Sequence, residues 1–193
     1  MWMLVSGLAL FFLVHLVPTL PDLRNRLVAI AGRGPYAGVF SLTSLLAIVL
    51  IVWGYGAMQA SGRANPQLWV PLPWLRHLTM LLMLPALILL VAAYTPSRIR
   101  AVVGHPMLSA IGLWSFSHLL VNGDLASVIL FGSFLAYAVY DLVSASQRHA
   151  LGPLGRAQGG LLGDVLAIGG GLVLYALLVV WGHQKLTGIA LLP

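Results

Sequence analysis

Six apolar stretches, almost free of charged side chains, follow one another along the 193-residue chain. They run from about Trp2 to Leu20, Tyr36 to Met58, Pro73 to Tyr94, His105 to Asn122, Leu125 to Tyr140 and Leu162 to Trp181. An α-helix needs roughly 20 such residues to cross the hydrocarbon core of a bilayer. In lipid every backbone N–H and C=O must be satisfied internally, and a helix does this within one segment. The sequence therefore predicts an all-α, polytopic integral membrane helical bundle with about six transmembrane helices and no separate soluble domain.

Composition agrees. The chain is 60% hydrophobic and 7% charged, whereas a soluble surface calls for about 25% charged residues. It has no glutamate and no cysteine, so disulfides, thiolate metal sites and cysteine nucleophiles are excluded. The formal charge of +6 comes from basic residues in the short gaps between apolar runs. It reads as membrane topology and contact with anionic headgroups, with no nucleic-acid partner. The first apolar run has no basic leader and no small-residue cleavage site after it, so it is expected to be a retained helix.

Only Asn122, Gly123 and Asp124 separate the fourth and fifth runs, which predicts an antiparallel helical hairpin at the centre of the chain, with Asp124 closing its turn. Gly169, Gly170 and Gly171 in the last run are expected to allow close helix packing. Arg24, Arg26, Arg33, Arg98, Arg100, Arg148 and Arg156 fall in the odd-numbered loops, against Arg63, Arg76 and Lys185 on the other side. Basic residues of short loops stay cytoplasmic, which places both termini in the periplasm of a bacterial inner membrane.

Ionisable groups inside a membrane are costly and mark sites. Asp22, Asp124, Asp141 and Asp164 all fall near span ends, which gives proton transport little support. The histidines remain. His149 sits beside Arg148 in a loop, as a solvated residue, and His183 follows Trp181 at the interface, as an anchor. Trp114, His118 and Asn122 recur every four residues and share one helix face. His118 lies about 6 Å inside the boundary counted from Asn122, and His77 about 5 Å inside it counted from Trp74. His15, about 20 Å from Trp2, falls nearer the inner level of His105. Two facing imidazoles are the usual ligands of a bis-histidine haem b, which needs no cysteine. The plainer reading is that each histidine only hydrogen-bonds a neighbouring helix. No Walker loop, GxSxG elbow or HExxH motif occurs.

His105-Pro106-Met107-Leu108 through Leu113-Trp114, Ser117-His118-Leu119-Leu120-Val121-Asn122-Gly123-Asp124-Leu125 and Leu130-Phe131-Gly132-Ser133-Phe134 resemble the signature of the NnrU family. So do Val52-Trp53-Gly54-Tyr55 and Leu75-Arg76-His77. The resemblance covers the chain as a single domain, 1–193. It implies a bacterial inner-membrane protein associated with denitrification and nitric oxide metabolism, with respiratory or denitrification membrane proteins as partners. The ζ-carotene isomerases look like distant relatives; they are haem b membrane enzymes that isomerise a polyene. Their histidine pattern matches His15, His77, His105 and His118 here. Their additional charged residues after the hairpin are replaced by Ser144-Ala145-Ser146-Gln147-Arg148, a departure that bears on the activity rather than on the histidines. The expected haem ligands are His118 with His77, favoured by depth, or with His15. Three roles follow: a haem-binding component of nitric oxide metabolism, a haem-dependent cis-trans isomerase of a lipophilic polyene, or a membrane scaffold.

Overall fold

A computed structural model describes every residue of the chain except 64, 156–158 and 193, so Ala64 and Arg156, the latter one of the seven basic residues of the odd-numbered loops, lie outside the described residues. The helices are α1 (Trp2–Leu16), α2 (Pro21–Ala31), α3 (Arg33–Gln59), α4 (Leu75–Ala92), α5 (Arg98–Val103), α6 (Pro106–Val121), α7 (Leu125–Gln147), α8 (Leu161–Leu177) and α9 (His183–Thr187). A 3₁₀ turn over Val17–Thr19 extends α1, and a π turn over Leu178–Gly182 joins α8 to α9. Five helical segments are long and apolar enough to cross a membrane: Trp2–Thr19, Arg33–Gln59, Leu75–Ala92, Leu125–Gln147 and Leu161–Thr187. The sixth expected span is the shorter apolar α6. The protein is a multi-pass membrane protein of all-α class.

Three boundaries differ from the sequence reading. The loop after the first span contains a whole helix, α2, started by Pro21 at its first position. The fifth span does not stop at Tyr140. Asp141 interrupts the apolar run but lies within α7, where its carboxylate accepts from Arg148 Nη2 at 2.8 Å, two turns further on. The last span runs on past Trp181 through the π turn to Thr187.

Two units divide the chain. The first comprises Met1–Pro71 and Asn122–Tyr137, the second Leu72–Val121 and Ala138–Pro193. In the first, α1 packs on α3. A Cβ on Gly7 would stand 2.8 Å from Ile51 N, and one on Gly54 would strike the backbone of Leu4. As α1 advances its partner on α3 recedes, which is the register of antiparallel helices whose backbones touch through glycine. Leu4 and Ala47 are fully buried there. Gly54→Ala forces this contact apart, and overpacking of that kind costs about 1–3 kcal/mol. A lower thermal midpoint in detergent is the expected result, and a midpoint equal to wild type removes the claim of backbone contact.

In the second unit α4 packs on both α6 and α8. A Cβ on Gly171 would stand 2.6 Å from Ile88 Cα, and one on Gly170 3.1 Å from the Val91 side chain. The glycine tract thus serves packing at Gly170 and Gly171, while Gly169 meets nothing within 4 Å. Asp164, in the first turn of α8, accepts from Arg98 N at 2.6 Å and Ile99 N at 3.3 Å, pinning α5 to α8. A Cβ on Gly112 of α6 would meet Ala138 of α7 at 3.6 Å, a contact across the expected hairpin.

Candidate functional site

His118 lies in the last turn of α6. Its Nδ1 is 2.9 Å from the carbonyl oxygen of Trp114. A carbonyl oxygen only accepts, so Nδ1 carries the hydrogen and the neutral ring keeps a lone pair on Nε2. That is the arrangement by which proteins orient a metal-binding imidazole. The Trp114 ring lies 5.4 Å away, tilted by 53°, so the expected pairing of indole and imidazole on one face is realised. Asn122, the third member of that row, lies just beyond the end of α6.

His77 is at the right level and on the wrong side. Thr79 Oγ1 donates to the Ser117 carbonyl oxygen at 2.9 Å, which sets the start of α4 level with the end of α6. Two residues along a helix turn it by about 200°. His77 therefore leaves α4 opposite the buried Thr79, is exposed, and makes no side-chain hydrogen bond among the described residues. His105, immediately before Pro106, is half-buried and its carbonyl oxygen accepts from Ser109 N at 3.0 Å. His149 is exposed in a left-handed turn with φ 48° just after α7, as a loop histidine should be.

His183 follows the π turn at the start of α9. Its Nδ1 is 2.9 Å from the Ile189 carbonyl oxygen.

His15 repeats the construction of His118 within the first unit. Its Nδ1 is 2.7 Å from the Phe11 carbonyl oxygen, again fixing the hydrogen on Nδ1 and the lone pair on Nε2. Phe11 stacks on the ring at 3.8 Å and 16°, Phe40 lies at 4.9 Å, and Tyr137 stands edge-on at 6.3 Å. The Tyr137 hydroxyl donates to the His15 carbonyl oxygen at 3.1 Å. Phe12 and Phe134 complete an aromatic cluster that joins α1 to the first half of α7. The Phe11-Phe12 pair and the Phe134/Tyr137 spacing were visible in the sequence but could not be assigned to one place.

The hairpin turn holds a network that sequence reading reduced to Asp124 alone. Asp124 Oδ1 accepts from Gln59 Nε2 at 3.0 Å, Asn65 Nδ2 at 2.9 Å and Ser127 N at 3.0 Å, and Oδ2 accepts from Ser127 Oγ at 2.6 Å. Asn65 Oδ1 accepts from Ala126 N at 2.7 Å. The Gly123 carbonyl oxygen accepts from Leu68 N at 2.8 Å, and the Pro66 carbonyl oxygen accepts from Leu125 N at 3.0 Å. A Cβ on Gly123 would collide with the Trp69 carbonyl oxygen, so only glycine fits. Burial opposes the Asp124 charge, and the hydrogen bonds from Ser127 and Asn65 outweigh it, holding the carboxyl below the ordinary carboxylate range. A carboxylate so fully supplied with donors fastens the turn to the segment after α3; it is not arranged to exchange protons.

Among the described residues no three histidine or acidic side chains converge as a metal-ligand set. What the fold supplies is single imidazoles whose Nδ1–H is fixed on a backbone carbonyl oxygen, and one or two imidazoles are what haem iron takes from a protein. The family described as NnrU protein matches residues 3–191 of the chain. No curated protein and no solved structure matches it.

Proposed function

The chain belongs to the NnrU family, and from that premise we propose that it is a haem b-binding inner-membrane component of nitric oxide metabolism, associated with denitrification. The observation that carries the reading is the state of the two histidines inside the spans. His118 and His15 each hold Nδ1–H on the carbonyl oxygen of the residue four positions earlier, which fixes the tautomer and ring orientation that a metal-binding imidazole needs. Either residue, taken within its own unit, would offer an imidazole to the iron. His77, the partner favoured by depth, becomes the weaker choice because it faces away from α6. Haem b bound there supplies a one-electron couple and an iron that takes diatomic ligands. The chain's own contribution is to fix the imidazole tautomers and, through Phe11, Phe40, Phe134 and Tyr137, to exclude water from the neighbourhood of His15.

The test is an absorbance spectrum of the detergent-purified protein, oxidised and dithionite-reduced. A Soret band with reduced α and β bands is expected. A colourless protein from haem-replete cells overturns the proposal and leaves the scaffold role. Conversion of a cis-carotenoid in a carotenoid-producing host would instead select the isomerase role.

Periplasmic termini form part of the same proposal, from the distribution of arginines among the loops. In intact cells an impermeant thiol reagent is expected to label Gly62→Cys and to miss Gly152→Cys. Labelling at Gly152→Cys reverses the orientation.

A further inference from the structure

Helix α2 and the groove at its start take no part in the sites described above. The helix is fixed at both ends: Leu20 leaves the helical region at φ −114° and ψ 85° before Pro21, and Gly32 follows at φ 85° and ψ 158°, a conformation essentially reserved for glycine. Because it connects two consecutive spans, α1 and α3, it must lie at a membrane surface.

Its faces are sharply divided. With Leu23 at zero, a turn of about 100° per residue puts Leu27 near 40° and Ile30 near −20°, in one stripe. Arg24 falls near 100° and Arg26 near −60°, one on each flank, with Asn25 opposite at about 200°. The protein does not cover the stripe: no residue of α2 is buried, and Ile30 is 85% exposed. Neither the Arg24 nor the Arg26 guanidinium has a hydrogen bond or ion pair among the described residues. Leu20, Pro21, Asp22, Leu23 and Arg26 line an open groove of about 360 Å³, within the range of roughly 300–1,000 Å³ that accepts small ligands.

We propose that α2 lies flat in the interface and that its groove binds one anionic phospholipid, with the phosphate on Arg26 and the upper acyl chain along Leu20 and Leu23. An apolar stripe flanked by arginines is the pattern of an interfacial helix, whose basic residues reach up to the headgroups. The preceding helix α1 exposes Leu13 and Leu16, apolar surface that already requires acyl chains. Charge selects the headgroup: Arg24, Arg26 and Arg33 against Asp22 leave residues 21–33 with a net charge of 3 − 1 = +2.

The test uses the full-length protein in phosphatidylcholine bilayers carrying spin-labelled lipids. Labelled phosphatidylglycerol is expected to be immobilised by the protein about five-fold more strongly than labelled phosphatidylcholine, the increment of one arginine near a membrane surface. Arg26→Gln removes that preference, Arg24→Gln reduces it, and Arg63→Gln, outside α2, leaves it intact. Equal immobilisation of the two lipids overturns the proposal. So does an equal loss in Arg63→Gln, which would show only diffuse attraction. Stronger retention of phosphatidylethanolamine, whose ammonium could pair with Asp22, overturns the choice of an anionic lipid. Displacement by millimolar inorganic phosphate would identify a site for a free anion and overturn the lipid.

Discussion

Replacing His118 with alanine is expected, on the proposed haem-binding function, to abolish the haem spectrum of the purified protein, or to convert it to a five-coordinate, high-spin form, while the protein still folds. Folding should survive because the ring's hydrogen bond is local, to the Trp114 carbonyl oxygen of its own helix. The strong inter-helix contact nearby, Thr79 to the Ser117 carbonyl oxygen, does not involve the ring. An iron–imidazole bond at His118, if the proposed haem is held there, would be one that no neighbouring side chain on α6 could replace. His15→Ala should act in the same direction, since its Nε2 is prepared in the same way. His77→Ala should leave the spectrum as in wild type, because His77 points away from α6, and His149→Ala likewise. Addition of imidazole to His118→Ala gives a readout independent of folding: partial return of the wild-type band marks a vacated ligand position. A correctly folded His118→Ala protein with an unchanged spectrum removes His118 from the iron.

The contrast between His118 and His77 shows where the sequence ran out. Depth along a helix can be counted from residue number, and the contact between Thr79 and Ser117 bears out the common level that counting suggested. Rotation about the helix axis cannot be counted until one inter-helix contact is known, and that contact turns His77 outward. The spans were legible because charge-free runs of membrane length have no alternative in lipid. The same rule hid α2, whose Asp22, Arg24 and Arg26 read as loop. Its helical signal is the spacing of Leu23, Leu27 and Ile30, which a search for charge-free runs passes over. Asp141 misled in a similar way: it appears to end the fifth span, and only its pairing with Arg148 two turns later shows how a carboxylate is held within α7. The hairpin was legible from Asn122-Gly123-Asp124 alone. Its fastening was not, because Asn65 and Gln59 lie far upstream and carry no local motif.

That fastening sets the other large effect. Asp124→Ala removes one acceptor group from four donors and leaves Asn65 Nδ2 and Gln59 Nε2 without their carboxylate. It also removes the N-terminal cap of α7, since Asp124 accepts from the backbone N–H three residues on. Hydrogen bonds to a charged group and a lost cap together are worth about 2–4 kcal/mol, discounted for the partial exposure of the turn. A clear fall in the thermal midpoint in detergent is expected, and Asp124→Asn should retain more of the stability because it keeps an acceptor oxygen. The pH dependence has a definite sign. The folded-state carboxyl titrates below its unfolded value of about 4, so the unfolded chain binds the proton more readily. The stabilisation is therefore fully present above pH ~4 and is lost as the pH falls through the depressed folded-state value. In Asp124→Ala that loss is absent, so the gap in midpoint between wild type and variant should narrow on acidification below pH ~4. A gap that stays constant down to the acid limit would show that the carboxylate charge contributes nothing and that Asp124 acts through shape alone.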